Sequence, residues 1–155
     1  NTYTVSRWFF MKDKDLDLIK EFRKNSRQSL TRISKKTKIP ISTIYDKLKA
    51  YEKEVIIKHT ALVDFKQLGF DIRVRLLLAA KQREALRNYL VFHESVNSIF
   101  RINNGFDYEV EALFRNMASF RKFLEDIEQF EILDLKEYFI LEDHLREGFM
   151  AAEAC

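Results

Sequence analysis

A single cysteine, Cys155, excludes a disulfide within the chain and fits a reducing, cytoplasmic setting. With that one thiol and three scattered histidines, His59, His93 and His144, no metal-ligand spacing exists, so neither a metal nor any other cofactor is expected. One proline and three glycines leave little room for flexible linkers, and most of the chain must lie in regular elements. The longest apolar run, Leu76 to Ala80, falls far short of the roughly 18 residues that a membrane-spanning helix needs. Trp8-Phe9-Phe10 is too short an apolar block, and lacks a small-residue cleavage site, to read as a signal peptide; it is expected to pack on a neighbour. Glycine-rich phosphate loops and a Ser/His/Asp order are also missing. Glu125, Asp126 and Glu128 read as a solvated helix face, and Asp143-His144 is a pair without a third member, so no catalysis is expected.

What the chain does have is charge, unevenly distributed. Residues 1–60 carry 15 Lys and Arg against 7 Asp and Glu, a net of +8, whereas residues 61–155 carry 12 against 17, a net of −5. A basic front suits a polyanionic partner and an acidic back suits another task. Two small domains are therefore expected, a basic one over residues 1–60 and an acidic one over residues 61–155.

Residues 29–54 supply the motif for the first. Leu16, Ile19 and Phe22 recur at helical spacing and predict a bracing helix from Asp15 to Lys24. Leu30 and Ile33 mark a second helix with Ser29 as its N-cap, and Pro40 suits the start of a third. That third helix keeps Ile41, Ile44, Leu48 and Tyr51 on one face. Two short helices joined by a tight turn are a helix-turn-helix, whose second helix enters the major groove of double-stranded DNA. Ser42, Thr43, Tyr45, Asp46, Lys47 and Lys49 then face outward as candidate DNA contacts, with Asp46 either meeting a cytosine amino group or orienting Lys47. Arg27, Gln28, Ser29, Lys35, Lys36 and Lys38 are candidates for the flanking phosphates. After Glu54, the β-branched run Val55 to Val63 predicts a wing or linking strand.

The second half alternates strands and helices. Ile72, Val74, Leu76, Leu78 and Ala80 predict a strand, Ala85, Leu86, Tyr89 and Leu90 a helix, and Val96, Phe100 and Ile102 a second strand. A third strand runs from Phe106 to Phe114, a helix carries Met117, Phe120, Leu124 and Ile127, and a fourth strand spans Leu135 to Leu141. The order βαββαβ predicts an α+β, ferredoxin-like unit, an antiparallel sheet with both helices on one face. On the other face Arg73, Arg75, Glu109 and Glu111 would pair off, leaving Leu77, Ile99 and Leu113 to be covered by a second copy of the chain. Asn104-Gly105 predicts a type I′ hairpin. With Asn103 and Asp107 beside it, that hairpin is a candidate rim for a small molecule, its N–H groups receiving a carboxylate and Asp107 an ammonium.

Four segments together resemble the Lrp/AsnC family of leucine-responsive, feast/famine transcription regulators: Asp15-Leu16-Asp17, Ile39 to Ile44, Ile56 to Asp64, and Asn104-Gly105-Phe106-Asp107-Tyr108. The likeness extends from Asp15 to Phe149. It implies an N-terminal winged helix-turn-helix, a C-terminal RAM-type domain, homodimers that assemble into tetramers or octamers, and an amino acid effector bound where C-terminal domains meet. Lys38 stands where the family usually has a turn glycine, Val55 where glycine commonly follows Glu54, and Gly105 precedes Asp107 by two residues where the family often has three. Two other readings compete: an enzyme, since chains of this layout also look like tetrapyrrole (siroheme) decarboxylases, and a metabolite sensor that has lost DNA binding.

Overall fold

The computed structural model describes residues 12–150; the expected packing of Trp8-Phe9-Phe10, and Cys155, lie outside the described residues. The described residues divide into two compact units, one made of residues 12–61 together with 145–150, the other running from Leu62 to His144.

The first unit contains α1 (Asp13–Lys24), α2 (Leu30–Thr37) and α3 (Ile41–Glu54). Leu18, Ile19, Phe22, Ile33, Ile39, Ile44 and Tyr51 form its core, with Leu30, Leu48, Ile56 and Met150 at the edges. Leu18 is fully buried and Leu16 only partly, because the inward stripe of α1 is set by the packing against Ile33 and Ile44 and sits one position off the simple three-residue spacing. Ser29 caps α2 by accepting from the Arg32 backbone N–H at 3.3 Å. Lys38 ends α2 in the left-handed conformation, φ 58° and ψ 26°, its N–H donating to the Ser34 carbonyl. That reversal is what brings Ile39 into the core and starts α3 after Pro40.

The expected strand over Val55 to Val63 does not form. These residues are irregular and mostly exposed, Ile57 to 99%. β-branched residues favour an extended chain, but a strand exists only when a second one satisfies its N–H and C=O groups, and among the described residues none lies beside it.

The second unit is a four-stranded antiparallel sheet in the order β2-β3-β1-β4, from β1 (Ile72–Ala80), β2 (Val96–Arg101), β3 (Tyr108–Phe114) and β4 (Ile132–Phe139). The helices α4 (Arg83–Phe92) and α5 (Met117–Glu128) pack Leu86, Leu90, Phe120, Phe123 and Ile127 on one face, against Val74, Leu76, Leu78, Val110, Ala112 and Phe114. This is the ferredoxin-like arrangement. β4 begins three residues before the expected Leu135 and ends two before Leu141, because Ile132 already pairs with Ala80 across a register shift. β3 starts at Tyr108, the residues from Phe106 belonging to the hairpin.

Another register shift, between Val96 and Ser98, changes which side chains of β2 face outward. Ile99 lies opposite Val110 and packs with the helices, whereas Phe100, opposite Glu109, takes the open face. The expectation that Ile99 shares the open face is thus corrected. The charged pairing holds: Arg73 meets Glu111, and Arg75 meets Glu109 at 3.1 Å. Arg73 also donates to both Asp143 oxygens, at 2.6 and 2.7 Å. Burial of Arg73 works against its charge, but these two acids outweigh it and raise its pKa further.

Candidate nucleic-acid interface

The first helical unit is assembled around one buried carboxylate. Asp15, only 3% exposed, accepts from the Lys12 backbone N–H at 3.2 Å, from the Tyr51 hydroxyl at 2.5 Å and from the Lys47 ammonium. Burial alone would raise its pKa; the hydrogen bonds from Lys47 and Tyr51, with the charge of Lys47, more than reverse this and lower it. Tyr51 shifts the other way, raised first by burial and then by Asp15. The result is a rigid tie between the start of α1 and the middle of α3, fixing the angle at which α3 is presented.

It also redirects Lys47. The expectation that Lys47 reaches outward is corrected: its chain lies on the flank of α3, where the Asp15 carboxylate draws its charge inward. Ile41 moves the opposite way, 46% exposed at the first turn, because α3 is rotated so that Ile44, Tyr51 and the flanking Leu48 fill the core.

The outward stripe of α3 consists of Ser42, Asp46, Lys49 and Lys53, all exposed and recurring at intervals of three or four residues. Lys53 was not among the sequence candidates, although continuing the helical period past Lys49 leads to it. Tyr45 is exposed beside the stripe, with the Lys49 ammonium 5.7 Å from its ring centre, and Thr43 is half-buried on the other flank. Lys49 also lies 3.7 Å from Glu52. Pro40 provides no side-chain cap, so no capping side chain takes the N–H groups of the first turn of α3.

The flanking candidates separate into two groups. Gln28 donates to the Glu21 carbonyl at 2.6 Å, Lys36 pairs with the Glu21 carboxylate at 2.7 Å, and the Ser29 hydroxyl is used in capping. Glu21 is accordingly held below its usual pKa, chiefly by Lys36. These residues stitch α2 to α1. Arg27, Lys35 and Lys38 are exposed, and their side chains take part in no hydrogen bond or ion pair among the described residues.

In the second unit the hairpin forms as the sequence suggests. Asn104 and Gly105 both have positive φ, 64° and 92°, as a type I′ turn requires, and the Ile102 N–H donates to the Asp107 carbonyl at 3.1 Å. Asn103, Asn104 and Gly105 are exposed. Asp107 is not turned towards them: its carboxylate accepts from the Ala80 backbone N–H at 3.0 Å and faces Arg83 at 2.9 Å, fastening the end of β1 to the start of α4. The reading of Asp107 as an open receptor for an ammonium group is corrected on that ground. A groove of about 460 Å³ lies between α5 and β4, lined by Leu124, Ile127, Glu128, Glu131, Ile132 and Leu135, and the hairpin residues do not border it.

The histidines do not converge. His59 lies 3.3 Å from Glu52 in the first unit, while His93 packs tilted against Tyr89 and edge-on against Phe123 and accepts from the Ser95 N–H through Nδ1. Among the described residues no cluster of His, Cys, Asp and Glu is arranged to hold a metal ion, and no helix is long and apolar enough to cross a membrane.

A three-helix unit with an exposed recognition helix, joined to a ferredoxin-like unit, defines the class: a helix-turn-helix regulator with a second, sheet-based domain. No protein-family model matches the sequence. The HTH-type transcriptional regulator FL11 of Pyrococcus abyssi is 31% identical over 117 residues, covering 73% of this chain and 77% of that protein. The FL11 of Pyrococcus furiosus is 27% identical, covering 77% of this chain and 81% of the relative. Solved structures share the fold. The transcriptional regulator of Neisseria meningitidis in complex with L-Met superposes with a TM-score of 0.81 at 18% identity, covering 88% of this chain and 93% of that one. LrpC of B. subtilis gives 0.78 at 19% identity, covering 86% and 96%. AsnC of E. coli gives 0.77 at 15% identity, covering 89% and 97%. The chain belongs to the Lrp/AsnC family of HTH-type transcriptional regulators.

Proposed function

We propose that this regulator binds double-stranded DNA as a homodimer, or as a tetramer or octamer built from dimers, with one α3 in the major groove of each half-site. The observation that carries the reading is the outward stripe of α3, where Ser42, Asp46, Lys49 and Lys53 stand free of the core while Asp15 locks the opposite side of the same helix. Arg27, Lys35 and Lys38 border that stripe in sequence and supply phosphate contacts. Ser42 and the N–H groups of the first turn supply more. Lys47 acts differently from its neighbours, as the residue that holds α3 in place.

Dimerisation is assigned to the open face of the sheet. Its two arginines are paired with acids, while Phe100 and Tyr138 are largely exposed and Leu77 partly so. A sheet face with paired arginines and uncovered apolar side chains suits a second copy of itself. An amino acid or similar small metabolite modulates the assembly at the exposed hairpin edge, where Asn103, Asn104 and Gly105 offer amide groups to a carboxylate. The L-Met bound by the Neisseria meningitidis structure favours that ligand class. No catalytic step belongs to this reading.

The test is a fluorescence-anisotropy titration of a mixed-sequence duplex at 50 to 200 mM salt. Some ten phosphate contacts per dimer, from Arg27, Lys35, Lys38, Lys49 and Lys53 of each protomer, predict an affinity loss on the order of 10⁵-fold across that range. Affinity independent of salt, or no binding at the lowest salt, rejects the assignment. Calorimetry with single amino acids at millimolar concentration checks the effector: heat of binding that disappears when Asn103 and Asn104 are both replaced by Ala is expected.

A further inference from the structure

We infer that Asp46 is the base-selecting residue of α3, accepting a hydrogen bond from the exocyclic amino group of a cytosine, so that each half-site requires a C·G pair at one position. The inference rests on the DNA-binding reading above and specifies what that surface recognises. Asp46 occupies the middle of the outward stripe, one turn after Ser42 and three residues before Lys49. Its carboxylate takes part in none of the hydrogen bonds or ion pairs among the described residues, although several cations stand near it in sequence. Lys47 is drawn away to Asp15, and Lys49 lies between the Tyr45 ring and Glu52. The alternative role, orienting Lys47, is thereby removed.

A free negative charge at the centre of a surface that enters a polyanion is repelled by every phosphate it approaches. It is tolerated only where the groove offers it a donor. Guanine presents N7 and O6, both acceptors, and thymine presents O4 and a methyl group, so both repel a carboxylate or leave it unpaired. Adenine offers its N6 amino group next to the N7 acceptor, which opposes the second carboxylate oxygen. Cytosine offers the N4 amino group without that neighbour, and so is the base edge that a carboxylate suits best. Ser42 can donate or accept and discriminates weakly, while a lysine donates to guanine O6 and N7 or to phosphate. A requirement for cytosine at this surface therefore falls on Asp46.

The experiment selects bound duplexes from a randomised pool with the full chain, then titrates every single-base variant of the selected duplex. The unmodified protein is expected to require one symmetrically placed C per half-site, with a loss on the order of 10- to 100-fold for any other base there. Asp46→Asn should move the preference at that position alone from C to A, because an amide pairs with N6 and N7 together. Asp46→Ala should erase the preference there and leave the other positions unchanged. Asp46 is exposed, so both variants should melt at the temperature of the unmodified protein. Enrichment of duplexes with the same base preferences in all three proteins overturns the role of Asp46 and leaves DNA binding standing. Failure to enrich any duplex overturns both.

Discussion

At the scale of single residues, two positions show how the recognition helix is set. Lys38 adopts φ 58°, a conformation that costs an L-residue with a side chain about 1 kcal/mol or more and glycine almost nothing. Lys38→Gly should therefore stabilise the folded chain by about 1 kcal/mol, seen as a melting temperature several degrees higher; an unchanged or lower value would mean that the Lys38 side chain contributes more than its backbone costs. Asp15 is the second. Its pKa is lowered by folding, so the stabilisation it brings is complete above the ordinary Asp value of about 3.9 and is lost as the pH falls through the folded value. Asp15→Asn should be markedly less stable than the unmodified chain near neutral pH, and the gap should close below about pH 4. Denaturant melts of both proteins at several pH values between 2 and 7 measure this, and a gap independent of pH would assign the role of Asp15 to packing.

At the scale of elements, what the sequence disclosed followed from period, and what it hid followed from contacts. β1 was legible to the residue because both its faces alternate over nine positions, and α3 because its apolar spacing continues for three turns. The side of β2 was misread because a register shift beside Asn97 leaves no trace in composition. The strand expected at Val55 to Val63 was misread because propensity does not reveal whether a partner is present. Within the candidate interface, the exposed position of Ser42, Asp46 and Lys49 was readable from helical spacing. The capture of Lys47 by Asp15 was not: the two lie 32 residues apart, and only the packing of α1 against α3 brings them together. The same holds for Asp107, which folding turns towards Ala80 and Arg83. Residues from Leu145 on, which composition groups with the second half, join the first unit through Arg23, which donates to the Phe149 carbonyl at 2.7 Å and to the Glu147 carbonyl at 3.2 Å.

At the scale of the whole molecule, the account requires a second copy to cover the open sheet face and α3 to meet DNA. Phe100→Glu places a charge where Phe100 is 56% exposed in the single chain, so it should leave the monomer folded while shifting sedimentation from a dimer or larger species towards the monomer. A sedimentation profile identical to that of the unmodified protein would move the interface elsewhere. The central claim, that the outward stripe of α3 is the DNA-contacting surface, is tested most directly by the salt dependence of duplex binding in a Lys49→Ala, Lys53→Ala double variant. Loss of two cations per protomer, four per dimer, should flatten the slope of log affinity against log salt by roughly 3 to 4, whereas Arg121→Ala with Lys122→Ala, on α5, should leave it unchanged. Equal slopes for the α3 variant and the unmodified protein would contradict the account.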